Sequence, residues 1–399
     1  MLKKDRLFTP GPTPLLPQAQ RALAAADIHH RTAEFRALYT RVLSDLQTFI
    51  GTRNDVIVMA SSGTGAMEAA VQNLTSPGDK VVVLTAGKFG ERWRDLARAY
   101  GCETEVLTAP EGETFALDAV RARLAEKKPR IVFMQATESS TGARHDVRGI
   151  AELLRGTDTL LVVDAITGLG TTHFDVDAWG VDIIIGGSQK ALMVPAGVAY
   201  CAVSERAWQR MEHSKTPRYY FDLRRARKAG AAGESPFTPA IANIAAMGAA
   251  LEYLRAMGNG DLAAGRDALV RNAELAAAMT RAAAQALGLK LFAATAPAAA
   301  LTSVASPAGM DSAVIVKALR ARFGAVIASG QGDMKSKLLR IAHIGYYDYL
   351  DTIGVLGALE HVLISVGVKC ELGAGLKAAQ AVFAADKDRV ASNQQSAKA

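Results

Sequence analysis

The sequence predicts an α/β protein, with a mostly parallel central sheet covered by helices on both faces and a smaller C-terminal α+β domain. Three observations carry that expectation. Short apolar runs recur between Val56 and Val203, the runs are apolar at successive rather than alternate positions, and helical segments separate them. A strand apolar on both sides is buried on both sides, and strands joined through helices lie parallel.

Each element follows from its own pattern. Pro10, Pro12, Pro14 and Pro17 surround Gly11, which predicts an extended arm over residues 1–20. Leu38, Val42, Leu46 and Phe49 then keep helical spacing at the start of a large domain, residues 21–256. Its strand-like runs are Val56–Met59, Val81–Leu84, Ile131–Met134, Leu160–Val163, Ile183–Ile185 and Val198–Val203. Arg92–Tyr100, Leu117–Glu126 and Val147–Leu154 read as helices between them, and Ala240–Ala256 as a long helix ending at Gly258. The small domain, residues 257–386, is expected to hold helices at Leu262–Leu287, Ser312–Phe323 and Leu350–Val366. Strand-like pieces fall at Lys290–Phe292, Leu301–Ser306 and Lys337–Ile341. Residues 387–399 have little to bury and are expected to form a frayed tail.

Composition narrows the function classes. The 399 residues are 50% hydrophobic and 21% charged, which fits an ordinary globular protein and gives ample chain for a core. Three scattered cysteines, Cys102, Cys201 and Cys370, fit neither a disulfide framework nor a thiolate metal site, and suit a reducing compartment. The formal charge is +7, but only Arg218–Lys228 clusters basic residues with aromatics, so no nucleic-acid partner is expected. No secretory signal and no membrane span is read, and a cytoplasmic location is expected.

The stretch VMASSGTGAMEAA, Val58–Ala70, is a strand, a glycine turn and a helix, the arrangement that offers backbone N–H groups to a phosphate. A Walker A loop needs a lysine that is missing here. The dinucleotide fingerprint needs a third glycine where Glu68 stands. A tight turn that merely packs helix on sheet is the other reading. Two further strand ends decide between them. Asp164 closes the apolar run Leu160–Val163, and Lys190 lies in GSQKAL just past the run at Ile183–Ile185. Ligands of open parallel sheets bind at the carboxyl ends of strands. Pyridoxal phosphate uses all three ends, having a phosphate, a pyridine nitrogen that seeks a carboxylate and an aldehyde that condenses with a lysine.

SSGTGAMEAA, GKFGERW, ESSTG, LLVVDA, GSQKAL, FTP and LRIAHIG occur here in an order and spacing that resemble class V aminotransferases, over nearly the whole chain. The similarity is to the alanine–glyoxylate, serine–glyoxylate and serine–pyruvate branch. A group named as a soluble hydrogenase small subunit is also similar, through IHHRTAEFR and GKFGERW. The resemblance implies the fold-type I architecture of pyridoxal-phosphate-dependent transferases. It implies that Lys190 binds the cofactor covalently and moves a proton, while Asp164 pairs with the ring nitrogen. Ser62, Gly63, Thr64 and Gln189 would hold the phosphate, Phe89 would lie on the ring face and Ser139 would approach the ring hydroxyl. Thr238, in SPFTP, would reach the phosphate of a neighbouring subunit in a homodimer with shared active sites. Arg340 would clamp the substrate carboxylate. For Phe89, Ser139 and Arg340 the plainer readings, a core ring, a turn serine and a structural ion-pair member, stand beside these.

The expected reaction moves an amino group from a small amino acid, alanine or serine, to glyoxylate or pyruvate by ping-pong half-reactions. An aspartate donor would need a further cation, for which Arg218–Arg227 is the candidate run. Cysteine desulfuration is disfavoured because Gln189 rather than His precedes Lys190. A non-catalytic subunit of a redox complex is disfavoured because Lys190, Asp164, Gln189 and Arg340 are all present. No metal is expected at His29-His30-Arg31, which reads as lining the site entrance. Tyr346 and Tyr347 either shape the pocket or pack.

Overall fold

The structure, a computed structural model, describes residues 2–396. Its strands are β1 (Arg6–Phe8), β2 (Asp55–Met59), β3 (Lys80–Thr85), β4 (Glu103–Thr108), β5 (Ile131–Gln135), β6 (Thr137–Glu138) and β7 (Ala143–Arg144). They continue with β8 (Leu160–Asp164), β9 (Ile183–Gly187), β10 (Ala199–Val203), β11 (Leu301–Ala305), β12 (Ala325–Ser329) and β13 (Leu338–Ala342).

The large sheet has the order β2-β10-β9-β8-β5-β3-β4. Only β10 runs antiparallel to its neighbours in it. The expected all-round burial is present, and the strand period of two divides it between faces. Val82, Leu84, Val132, Met134, Leu161, Val163 and Ile184 join one apolar layer. The residues between them, Val81, Val83, Ile131, Phe133, Leu160, Val162 and Ile183, join the other with Trp93 and Met67. Helix Gly63–Leu74 supplies the second layer with Ala66, Met67, Ala70, Val71 and Leu74.

The small sheet has the order β1-β12-β13-β11 and packs against helices Leu262–Ala286, Ser312–Phe323 and Tyr349–Ser365. Here sequence and structure differ. The arm expected to be extended contributes β1, which pairs parallel with β12 through Arg6–Ala325, Leu7–Val326 and Phe8–Ile327. Its last residues open helix Pro17–Ala25, with Pro17 at the first turn, where a missing N–H costs nothing. The strand expected at Lys290–Phe292 is reduced to one bridge, Leu291 to Val304. A helix, Ala374–Ser396, occupies much of the expected tail, whose last three residues lie outside the described chain. Among the described residues no helix is long and apolar enough to cross a membrane.

Candidate active site

Because β10 alone is reversed, the carboxyl ends of β2, β3, β5, β8 and β9 share one rim of the large sheet. Ser62–Thr64 follow β2, Phe89 follows β3, Ser139 follows β5 and β6, Asp164 closes β8, and Gln189 and Lys190 follow β9. Asp164 is on the middle strand, in register with Gln135 on one side and Ile185 on the other. The topology therefore brings the three sequence signals to one place.

Asp164 is 5% exposed and accepts from the Ile166 N–H at 2.9 Å. Burial pushes its carboxyl up to about 6. The Ile166 N–H, Lys190 and Arg92 oppose that rise, and the buried carboxyl of Glu138 adds to it. Lys190 shows the converse. Desolvation lowers its amine to about 8 despite Asp164, and the charges of Arg340 and Arg92 push the same way. Its Nζ donates to the carbonyl of Pro10. The arm closes over this group, since a Cβ on Gly11 would stand 2.8 Å from Lys190 Cε. Thr13 Oγ1 donates to the carbonyls of Gln189 and Lys190 at 3.2 and 3.1 Å.

Ser62 is the cap residue of helix Gly63–Leu74, and its hydroxyl accepts no hydrogen bond from the helix start. The N–H groups of Gly63 and Thr64 precede the first carbonyl of the helix that could accept them, so they point outward at its positive end. Gly63 is required by Ile166, whose Cγ1 would lie 3.1 Å from an added Cβ. Thr64 Oγ1 accepts from Arg92 Nη1 at 3.0 Å, and the Arg92 guanidinium stands 4.8 Å from the centre of the Phe89 ring. Gln189 Oε1 is buried and has no hydrogen-bond partner among the described residues.

Arg340 lies on β13, opposite Ser303 and Ala328, and is 4% exposed. It donates to the Ser329 carbonyl from Nε at 2.9 Å and Nη2 at 2.7 Å, and to the Ser139 carbonyl from Nη1 at 2.5 Å. Burial lowers its pKa to about 10 against the pull of Glu138.

Other expectations fare differently. Thr238 is exposed and lines a small cleft with Ala60, Tyr220 and Phe237, apart from the Lys190 contacts. Arg31 pairs with Glu234 at 2.9 Å, and the rings of His29 and His30 pack on each other at 4.6 Å. Tyr347 is buried against Phe8 and His343, whereas Tyr346 is exposed beside Tyr253. The run proposed as an extra cation source is engaged elsewhere. Arg218 donates to the carbonyls of Met211 and Thr216, and Arg225 covers the Tyr219 ring.

Sequence reasoning missed Arg92, Glu138 and Ile166, and the contact of the expected arm with Lys190. Arg92 and Glu138 stand inside motifs already marked, three residues after Phe89 and one before Ser139, and Ile166 follows LLVVDA directly, two residues after Asp164. Charge beside a glycine turn was the available signal for Arg92.

Comparison with known proteins gives a consistent answer. The chain is 35% identical to the soluble hydrogenase small subunit of Synechococcus sp., over 96% of this chain and 99% of that one. It is 30% identical to a serine–glyoxylate aminotransferase of Methylorubrum extorquens, over 94% of this chain and 95% of that one. Among solved structures, an aspartate aminotransferase of subgroup IV from Thermus thermophilus superposes with a TM-score of 0.83 at 34% identity, over 91% of this chain and 100% of that one. The model of the family described as aminotransferase class-V matches residues 18–341, which hold all three strand ends and reach Arg340. The chain with Lys190 and Asp164 on one sheet rim belongs to the class V aminotransferase family.

Proposed function

We propose that the protein is a pyridoxal-phosphate-dependent transaminase that moves an amino group from alanine or serine to glyoxylate or pyruvate. The observation that carries this reading is the placement of Asp164 and Lys190, each with its pKa moved toward neutrality, on the same sheet rim as an open helix N-terminus.

The residues fit the cofactor that the family implies. Gln189 Oε1 is a buried acceptor without a partner, and the N–H groups of Gly63 and Thr64 have none within their helix. Ser62, Gly63, Thr64 and Gln189 would hold the phosphate. Phe89 would cover one ring face. Asp164, once ionised, would keep the ring nitrogen protonated, and Ser139 would approach the ring hydroxyl. Pyridoxal phosphate, when bound, supplies an aldehyde that condenses with amines and a ring that accepts the electron pair left when an α-proton departs.

The chain supplies the remainder. With a pKa of about 8, the Lys190 amine is partly neutral near pH 7 and can take the proton from the substrate α-carbon and return it. Arg340 is a planar fork held at the site by two carbonyls, suited to bind the substrate carboxylate and fix which α-bond is broken. Thr238, exposed as it is, would act in the site of a second copy of the chain, making the homodimer the working unit.

A second reading, with aspartate as donor, is favoured by Arg92, a further cation beside Thr64, and by likeness to the Thermus enzyme. One experiment orders these readings. Purified protein titrated with pyridoxal phosphate should turn yellow, and Lys190→Ala should abolish that absorbance. Half-reactions with alanine, serine and aspartate, followed by glyoxylate or pyruvate, then rank the donors. Absence of cofactor uptake by the wild type would end the proposal, and turnover with aspartate alone would select the second reading.

A further inference from the structure

A broad cleft at the amino ends of β3, β5 and β8 is lined by Lys80, Arg121, Arg130, Arg206 and Arg210. Its arginines are already matched. Arg130 and Arg210 share Asp79, Arg121 holds Asp118, and Arg206 donates to the carbonyls of Thr157 and Thr159. A buried carboxylate inside the motif ESSTG carries more.

Glu138 is fully buried, and no lysine or arginine forms an ion pair with it among the described residues. Backbone and hydroxyl donors surround it instead. Oε2 accepts from the N–H of Phe89 at 3.0 Å and of Gly90 at 3.2 Å. Oε1 accepts from the Ser140 N–H at 3.1 Å and the Ser140 hydroxyl at 2.5 Å. The Ser140 hydroxyl in turn accepts from the Lys88 N–H at 3.2 Å. Phe89 and Gly90 are in the first turn of helix Lys88–Ala99, so the carboxylate meets the positive end of that helix. Gly87 permits the approach, since a Cβ there would stand 2.7 Å from Glu138 Cγ at a φ of +154°.

These contacts join groups that come from separate strand ends. The helix that Glu138 caps carries Phe89 and Arg92. The next residue in the chain, Ser139, gives its carbonyl to Arg340 at 2.5 Å. We propose that Glu138 is a positioning residue, which clamps the Phe89 helix to the Ser139–Ser140 turn and so sets Phe89 and Arg340 at a fixed separation across the site. Its kinetic consequence rests on the transaminase reading given above; its structural consequence does not.

Glu138→Gln keeps the shape but replaces one oxygen with an NH2 group. Whichever way the amide turns, a donor then faces either Phe89 and Gly90 or Ser140. In the cofactor-free protein, amide hydrogen exchange at Phe89 and Gly90, or at Ser140, should quicken at least ~10-fold, the size expected for losing bonds to a buried charge. Exchange in helix Tyr349–Ser365 should stay as in wild type. In the holoenzyme, the visible circular dichroism of bound pyridoxal phosphate should change, and KM for the amino donor should rise more than kcat falls. Unchanged exchange at all three amides overturns the proposal. So does an equal loss of protection throughout the protein, which would mark Glu138 as a fold residue only. Glu138→Asp, one methylene shorter, is read by the same exchange criteria should Glu138→Gln fail to fold. If wild-type protein takes up no pyridoxal phosphate, the transaminase reading fails, and the exchange result still decides whether Glu138 is a clamp.

Discussion

Arg340 and Ser139 meet at 2.5 Å, guanidinium to carbonyl, and this bond ties an interior strand of the small sheet to a turn on the rim of the large one. A lysine at this position could reach one carbonyl but not hold Ser139 and Ser329 together. Arg340→Lys is therefore expected to raise KM for the amino donor by about 10- to 100-fold, the range for a lost charge-assisted pair of bonds. Cofactor uptake should change far less. Steady-state kinetics and a pyridoxal phosphate titration check it, and an unaltered KM would return Arg340 to a purely structural role.

Asp164 and Lys190 give the cofactor-free protein opposite pH dependences. The Asp164 carboxyl sits near 6 when folded and 3.8 when not, so the folded chain keeps a proton that the unfolded chain has lost, and stability falls as pH rises between those values. Asp164→Asn removes that slope, and its advantage over wild type should grow by roughly 1–3 kcal/mol across the window. The Lys190 amine is near 8 when folded and 10.5 when not, so stability rises with pH over that interval, and Lys190→Met should abolish the rise. Urea denaturation at several pH values tests both signs.

Gly63 and Ile166 compete for one volume. Gly63→Ala should destabilise the fold by about 1–3 kcal/mol, because the new methyl overlaps the Ile166 side chain. Ile166→Val deletes the Cδ1 methyl that would collide, so the double variant should recover most of the loss. Denaturation midpoints of the two single variants and the double variant decide it, and additive losses would show that the two residues do not compete.

Gln189 should display a trade between stability and binding. Its buried Oε1 lacks a partner among the described residues, so Gln189→Leu removes a desolvated acceptor. The cofactor-free protein should gain on the order of 1 kcal/mol, while affinity for pyridoxal phosphate falls. Calorimetry on both forms reads the two effects, and loss of stability in the variant would refute the argument.

The parts of this site that could be read in the sequence are those where one residue type has few uses. An acid closing an apolar strand is a costly placement and marks Asp164, and a lysine past another strand end, ordinary by itself, gains its meaning beside that acid and the glycine turn. The β-branched runs likewise announced the buried strands. Strand β1 escaped because three residues, Arg6–Phe8, carry no periodicity and stand beside four prolines. Strand β4 escaped because, at the sheet edge, its residues are only half-buried and its sequence mixes Glu and Thr with Val and Leu. Nothing local to Glu138 records that the chain folds it under the helix from Lys88 to Ala99. Arg218–Lys228 looked available because its aromatic and carbonyl partners become neighbours only after folding.

Strand β1 has a bearing on the order in which the protein can be finished. Residues 6–8 leave the ribosome long before their partners, residues 325–327. The arm that touches Lys190 through Pro10, Gly11 and Thr13 therefore waits for more than three hundred further residues before its own strand can pair. The large sheet, whose last strand ends at Val203, can assemble well before that. The lysine loop is thus made early and covered late, and the arm is among the last pieces to find its seat.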